Sequence, residues 1–301
     1  MPIELQKLRK HSIYEDTALL DSVTTDLDDI VALSQLAEIK QNKFGKQAIY
    51  YFAGAAIVGI ISFGLSGIAS GLLNVVAFLF NLGLVGLVIA WIYALVMMLK
   101  FRRLNVINYR YHLTRQLIEM LARDLDVKEL FHLQLSFKKG ESNENKTNTI
   151  DHPYKSGWKI DIYENQWLNM RGRFLDKTRF VLTITGLSKK QYGWKRGSSG
   201  KNKYKSKVKS GGLDINLNLI YPQRRYGAIK VLQNEVKEAI NIPTFSFLRG
   251  LKVTDKSMNL TVRLDPQLAE SQEKIYQTIV AMFLSLYQVL NLAKMLSKET
   301  V

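Results

Sequence analysis

Cysteine is absent from the 301-residue chain, and with it go disulfides, thiolate metal sites and cysteine nucleophiles. Histidine is scarce, and His11, His112, His132 and His152 show no i,i+4 pairing, so no local metal site or cofactor is expected. No GxSxG occurs. The segment GWKRGSSGKNKY fails as a phosphate loop, because six residues separate Gly193 from Gly200 and Asn202 stands where Ser or Thr would hold magnesium. Its Gly and Ser residues fit a hairpin turn instead. The N-terminal MPIELQKLRKHSIYED lacks an apolar run, so no cleavable signal peptide is expected. The most informative shortage is of charge: the 53 residues between Lys46 and Lys100 carry none.

A helix rises 1.5 Å per residue and the hydrocarbon core is about 30 Å thick, so one span needs roughly 20 apolar residues. The uncharged run is long enough for two spans and a tight turn. It predicts a hairpin of transmembrane helices, Gln47 to about Ser70 and about Asn74 to Leu99, turning at Gly71 and Asn74. Lys40, Lys43 and Lys46 precede the pair, and Lys100, Arg102 and Arg103 follow it. The positive-inside rule then puts both termini in the cytoplasm, in a bacterial inner membrane or a similar internal membrane. Tyr50, Tyr51, Trp91 and Tyr93 fit an aromatic belt at that face. Small residues recur at helical spacing: Gly59, Ser62, Ser66, Gly67 and Gly71 in the first span, Gly86, Ala90 and Ala94 in the second. Such faces let helix backbones approach closely, within the hairpin or in a homo-oligomer. Asn81 is expected to make an interhelical hydrogen bond.

Outside the hairpin the chain divides into a short N-terminal region, 1–46, and a long basic one, 100–301. The first holds six Lys/Arg against eight Asp/Glu, and the second 36 against 18, within a net charge of +16. Residues 17–42 read as an amphipathic helix through Leu20, Val23, Leu27, Ile30, Leu33 and Ala37. Because no Pro or Gly interrupts residues 87 to 139, the second span is expected to continue as a helical stalk over 100–130. From Phe131 the apolar period changes to two. FHLQLSF, WKIDIYEN, WLNMRGRF, TRFVLTITGL, LDINLNLIYP, FSFLRGLKVT and MNLTVRLD predict an antiparallel sheet of about seven strands with one dry face. The polar stretch KKGESNENKTNTIDHPYKS reads as a loop, and Ala228 to Ile240 as a short helix. A long C-terminal helix is expected after Asp265-Pro266, covering the sheet rather than crossing the membrane. The fold class is thus a transmembrane α-helical hairpin plus a cytoplasmic α+β domain.

The strongest local signal is basic. Lys189, Lys190, Lys195, Arg196, Lys201, Lys203, Lys205, Lys207 and Lys209 fall in one stretch without an acid, and Arg224 and Arg225 follow. Tyr192, Trp194, Tyr204 and Tyr226 are interleaved, as stacking platforms for nucleic acid would be. Lys203–Lys209 share odd parity with the apolar row Leu213–Leu219. A regular strand would therefore aim lysines and core residues the same way, unless the lysine part outruns the core or a bulge at Gly211-Gly212 switches the parity. These features predict a non-enzymatic, membrane-anchored scaffold whose basic domain binds an anionic lipid, a polyanion or an acidic protein. The layout of two helices followed by a β-rich domain also resembles the membrane effectors of bacterial nucleotide-signalled antiphage systems. That resemblance implies the alternative, a ligand-gated oligomeric effector or channel sensing an anionic nucleotide.

Overall fold

The computed structural model describes residues 12–66, 72–102, 108–198, 200–227, 229, 236 and 238–299. The chain forms two units, one of Met1–Leu27 with Asn108–Val301 and one of Asp28–Ile107.

The larger unit is built on an antiparallel eight-stranded sheet: β1 (Ile13–Ala18), β2 (Phe131–Ser136), β3 (Lys146–Asp151), β4 (Lys159–Arg173), β5 (Arg179–Arg196), β6 (Asn202–Ile220), β7 (Ser246–Val253) and β8 (Ser257–Leu264). The strand order is β1-β2-β4-β5-β6-β8-β7, and β3 pairs with the free half of β4. Alternation sorts the side chains. Met170, Leu182, Leu217 and Leu260 lie opposite one another across four strands, as do Leu168, Ile184, Ile215 and Val262, and all eight are fully buried. Each such side chain contributes about 1.5–3 kcal/mol through burial. On the other face Asn169, Thr183, Asn216 and Thr261 form a polar row, and Asn216 Nδ2 donates to Thr261 Oγ1 (2.8 Å) and Asn259 Oδ1 (2.9 Å).

Helices cover the dry face. The C-terminal helix Gln272–Glu299 buries Ile275, Ile279, Met282, Leu286, Val289 and Leu290, and it packs on the helix Tyr109–Leu121, which buries Tyr111, Leu113, Leu117, Ile118 and Leu121. In the smaller unit the helices from Leu20–Ser66 and Leu72–Arg102 run antiparallel. Phe44 stacks on Phe101, Phe52 meets Trp91, and Ser62 Oγ donates to Asn81 Oδ1 at 2.8 Å. We number the helices α1 (Leu20–Ser66), α2 (Leu72–Arg102), α3 (Tyr109–Leu121), α4 (Gln223–Tyr226) and α5 (Gln272–Glu299). Three of them, α1, α2 and α5, are long and apolar enough to cross a membrane.

Several expectations need correction. Helix α2 does not continue as an uninterrupted stalk. Asn108 is extended (φ −145°) and caps a new helix, its side chain accepting the N–H groups of Arg110 and Tyr111. Asn competes with helix continuation by bonding nearby backbone donors, which makes it a better cap than interior residue. The polar stretch after Phe137 is not all loop, for Lys146–Asp151 is strand β3. The amphipathic helix begins at Leu20, because Thr17 and Ala18 belong to edge strand β1, opposite His132 and Phe131. The C-terminal helix begins at Gln272; Asp265-Pro266 instead opens a turn, with Leu268 N–H donating to the Asp265 carbonyl (3.0 Å). The helix over Ala228–Ile240, the GxxxG of Gly67 and Gly71, and His11 fall mostly or wholly outside the described residues.

Candidate functional site

Strands β5 and β6 are unusually long, 18 and 19 residues, and only their lower halves sit over the core. Past Leu187 they form, with β3 and the start of β4, an upper sheet that β8 no longer reaches. The register shifts at the junction. Leu187 stands opposite Gly212 and Ser188 opposite Ser210, so Gly211 is an extra residue. Gly212 has φ +96°, and a Cβ there would lie 2.4 Å from the Leu264 carbonyl oxygen, so only glycine fits. The bulge reverses the parity of β6. Leu213–Leu219 face the core, whereas Lys203, Lys205, Lys207 and Lys209 face the opposite side.

Cross-strand register then assembles the basic face. Lys209 is opposite Lys189 and Lys203 opposite Lys195, so six lysines share one side of the hairpin. Residues 201–210 are all exposed, and among the described residues none of the six lysines is ion-paired. Beside the lysines, on the same face, lie Ile160, Ile162 and Ile150 of β4 and β3, with Ile150 exposed. Trp158 continues this apolar strip. Its ring covers Gly193, where a Cβ would lie 2.6 Å away, and its Nε1 donates to the Trp194 carbonyl (3.0 Å). This face thus carries lysines on β5 and β6 and, beside them, exposed Ile150, half-buried Ile162 and buried Ile160, with polar Asn148 and Glu164 on the same side.

The opposite face of the upper sheet is tied together around Asp161. This buried carboxylate accepts from Lys146 Nζ (2.7 Å), Thr149 Oγ1 (2.6 Å), Tyr192 OH (3.2 Å) and Tyr163 OH (3.2 Å), linking β3, β4 and β5. Burial alone would raise its pKa, but the bonds from Lys146, Thr149 and Tyr192 outweigh it and hold the carboxyl below its ordinary value. Tyr204 packs between Tyr192 (6.2 Å) and Trp194 (5.6 Å) on this face.

The structure therefore brings together only part of the expected site. Lys189, Lys195, Lys203, Lys205, Lys207 and Lys209 share a face; Lys190 and Arg196 point to the other, and Lys201 lies in the turn, where Gly197 N–H donates to its carbonyl (2.8 Å). Arg224 and Arg225 do not join them. They sit on α4 beyond Ile220, roughly 35 Å along β6 from Lys209. There Arg225 donates to the Asp176 carbonyl, and Tyr226 donates to Asp176 Oδ2 at 2.5 Å, its phenol pushed up to about 12 by burial and this bond. The aromatics are not interleaved with the lysine row either. Tyr192, Trp194 and Tyr204 lie on the reverse face and Tyr226 beside α4, an arrangement unlike a stacking platform for single strands.

In the helical unit, Ser62 and Ala94 are buried, Ala90 is half-buried, and Gly54 and Gly59 face Leu87 and Leu84. Gly86 is exposed, with open space where a Cβ would stand; Ser66 ends α1. Large apolar side chains ring both helices on the outside, among them Ile57, Ile60, Phe63, Phe78, Leu82, Val85 and Ile89. Compared with protein-family models, curated proteins and solved structures, the chain matches none.

Proposed function

We propose that this protein is a membrane-anchored, non-enzymatic adaptor that uses the lysine face of its upper sheet to engage an anionic surface, in the first instance anionic lipid. The observation that carries the reading is six lysines on one face, none ion-paired among the described residues, beside exposed Ile150 and half-buried Ile162. Lysine stems lie along apolar surface while their ammonium groups reach headgroups, so the pairing suits a lipid interface better than a purely polar polyanion. The anchor is α1 and α2, as two spans with both termini cytoplasmic. Their apolar windows are 11% and 6% buried within the protein, against 44% for that of α5, whose inner face is core.

Each lysine near an anionic leaflet gives about a fivefold gain in affinity, so four supply roughly two to three decades at low salt. The full-length protein, held in nanodiscs of neutral lipid, is tested for capture of vesicles with and without phosphatidylserine. Capture is expected only for the anionic vesicles, fading at high salt as the Debye length shrinks. The combined variant Lys203→Gln, Lys205→Gln, Lys207→Gln, Lys209→Gln is expected to lose it. Capture equal to that of the unaltered protein would make the ribbon a solubilising sheet edge only.

A further inference from the structure

We propose a second site, on the covered side of the sheet, for a compact ligand bearing an oxyanion. Among the described residues, the buried polar atoms without a hydrogen-bond partner include Asn165 Nδ2, Trp167 Nε1 and Ser188 Oγ. All three residues line one cavity of about 400 Å³, within the size range of small-molecule sites. Asn165 and Trp167 are 3% and 1% exposed, so their side chains are turned into the protein rather than out to solvent. Buried donors call for acceptors, and a cavity that collects three of them suits a ligand that supplies acceptors.

Two irregularities of the sheet make the cavity. Trp167 is the extra residue of a bulge in β4, between Gln166 and Leu168, and bulges re-aim a side chain. Asn165 stands opposite Gly186, whose missing side chain leaves the floor open between Asn165 and Ser188. The Gly211-Gly212 bulge in β6 borders the other side, with Gly212 among the lining residues.

The donors choose the ligand chemistry. An indole N–H and an amide NH₂ only donate, so the ligand must accept from both. Arg110 supplies positive charge. Its guanidinium lies 5.3 Å from the Trp167 ring, anchored by Nη1 donating to the carbonyls of Ser136 (3.0 Å) and Lys138 (3.1 Å). Lys139 lines the same cavity, but so do Glu141 and Glu270, and this balance favours one oxyanion over a polyphosphate. The lysine ribbon faces the other side of the sheet, so this site stands independently of the anionic-surface reading.

Full-length protein in detergent is titrated by calorimetry with inorganic phosphate, glycerol 3-phosphate and succinate, which separates phosphoryl from carboxylate recognition. At least one is expected to bind at one site per chain. Trp167→Phe keeps a ring against Arg110 and Tyr109 but deletes the indole N–H, and Asn165→Leu and Ser188→Ala delete the other donors. Trp167→Phe and Asn165→Leu are each expected to weaken binding about tenfold or more, as loss of a hydrogen bond to a charged group does. Melting curves identify any variant that is not folded; Ser188→Ala, with almost no change in volume, then carries the comparison. The four-lysine variant is expected to bind unchanged. The proposal is overturned if none of the three probes binds at millimolar concentration, if folded donor variants bind like the unaltered protein, or if binding disappears with the ribbon lysines.

Discussion

Gly212→Ala tests the hinge on which both faces depend. Alanine at φ +96° costs about 1–3 kcal/mol in backbone strain. Its Cβ would also stand 2.4 Å from the Leu264 carbonyl oxygen, which cannot easily retreat, because Leu264 is registered against Leu213 on one side and Ser246 on the other. Together these cost about 3 kcal/mol. For a unit of this size a melting temperature falls about 2–4 °C per kcal/mol, so a drop of about 6–12 °C is expected. Gly157→Ala is the matched control: φ is +72° there, but nothing lies within 4 Å of a Cβ. It should lose only the conformational part, about 1–2 kcal/mol and roughly 2–8 °C. Melting is followed by tryptophan fluorescence in detergent. Equal shifts in the two variants would show that the close approach to Leu264 does not hold the bulge.

Three further outcomes are expected. Tags at Met1 and Val301 should both resist protease added outside intact cells and be cut after lysis; cleavage of either from outside would refute two spans. Asn108→Ala should destabilise the larger unit by about 1 kcal/mol, read from its denaturation midpoint, since Arg110 and Tyr111 lose their N-cap acceptor. Burial and Arg171 lower the pKa of His132 from its ordinary 6.5, while Glu15 and Asp16 only partly oppose them. Below 6.5 the unfolded chain therefore binds the extra proton first. Its stabilising contribution is complete above pH 6.5 and fades as pH falls toward the folded value. In His132→Asn that part of the pH slope should flatten; an unchanged slope would locate the titration elsewhere.

How far the fold could be read from sequence depended on whether each strand had a dry face. Leu213, Ile215, Leu217 and Leu219 alternate over the core and are legible, as are the helical spacings of α1 and α5. β3 is not, because all six of its residues are exposed. What holds KTNTID in the sheet is pairing with β4 and the contacts of Lys146 and Thr149 with Asp161, and neither leaves a periodic trace. β1 is hidden for a similar reason: it is an edge strand whose EDT centre reads as polar. The start of α5 is ambiguous in the sequence because Asp265-Pro266 is as good a turn opener as a helix start, and Ser271, just before Gln272, is an equally good cap.

The sites divide along the same line. Lysine content is a local property, and even the conflict of parity between Lys203–Lys209 and Leu213–Leu219 could be found in the sequence, with Gly211-Gly212 as its resolution. Which lysines share a face with which aromatics could not, because that depends on the register of β5 against β6. A polarity scale treats Tyr192 and Lys203 as neighbours in one basic stretch; the pleat puts them on opposite sides. The cavity was further from view still. Asn165, Trp167 and Ser188 are ordinary strand residues until a bulge in β4 turns Trp167 among them and a glycine at position 186 leaves room between Asn165 and Ser188. An apolar residue at position 165 or 188 would remove one unpartnered polar atom from the cavity. Unpartnered donors gathered in one cavity are therefore more informative about binding here than the surface charge that dominates the composition.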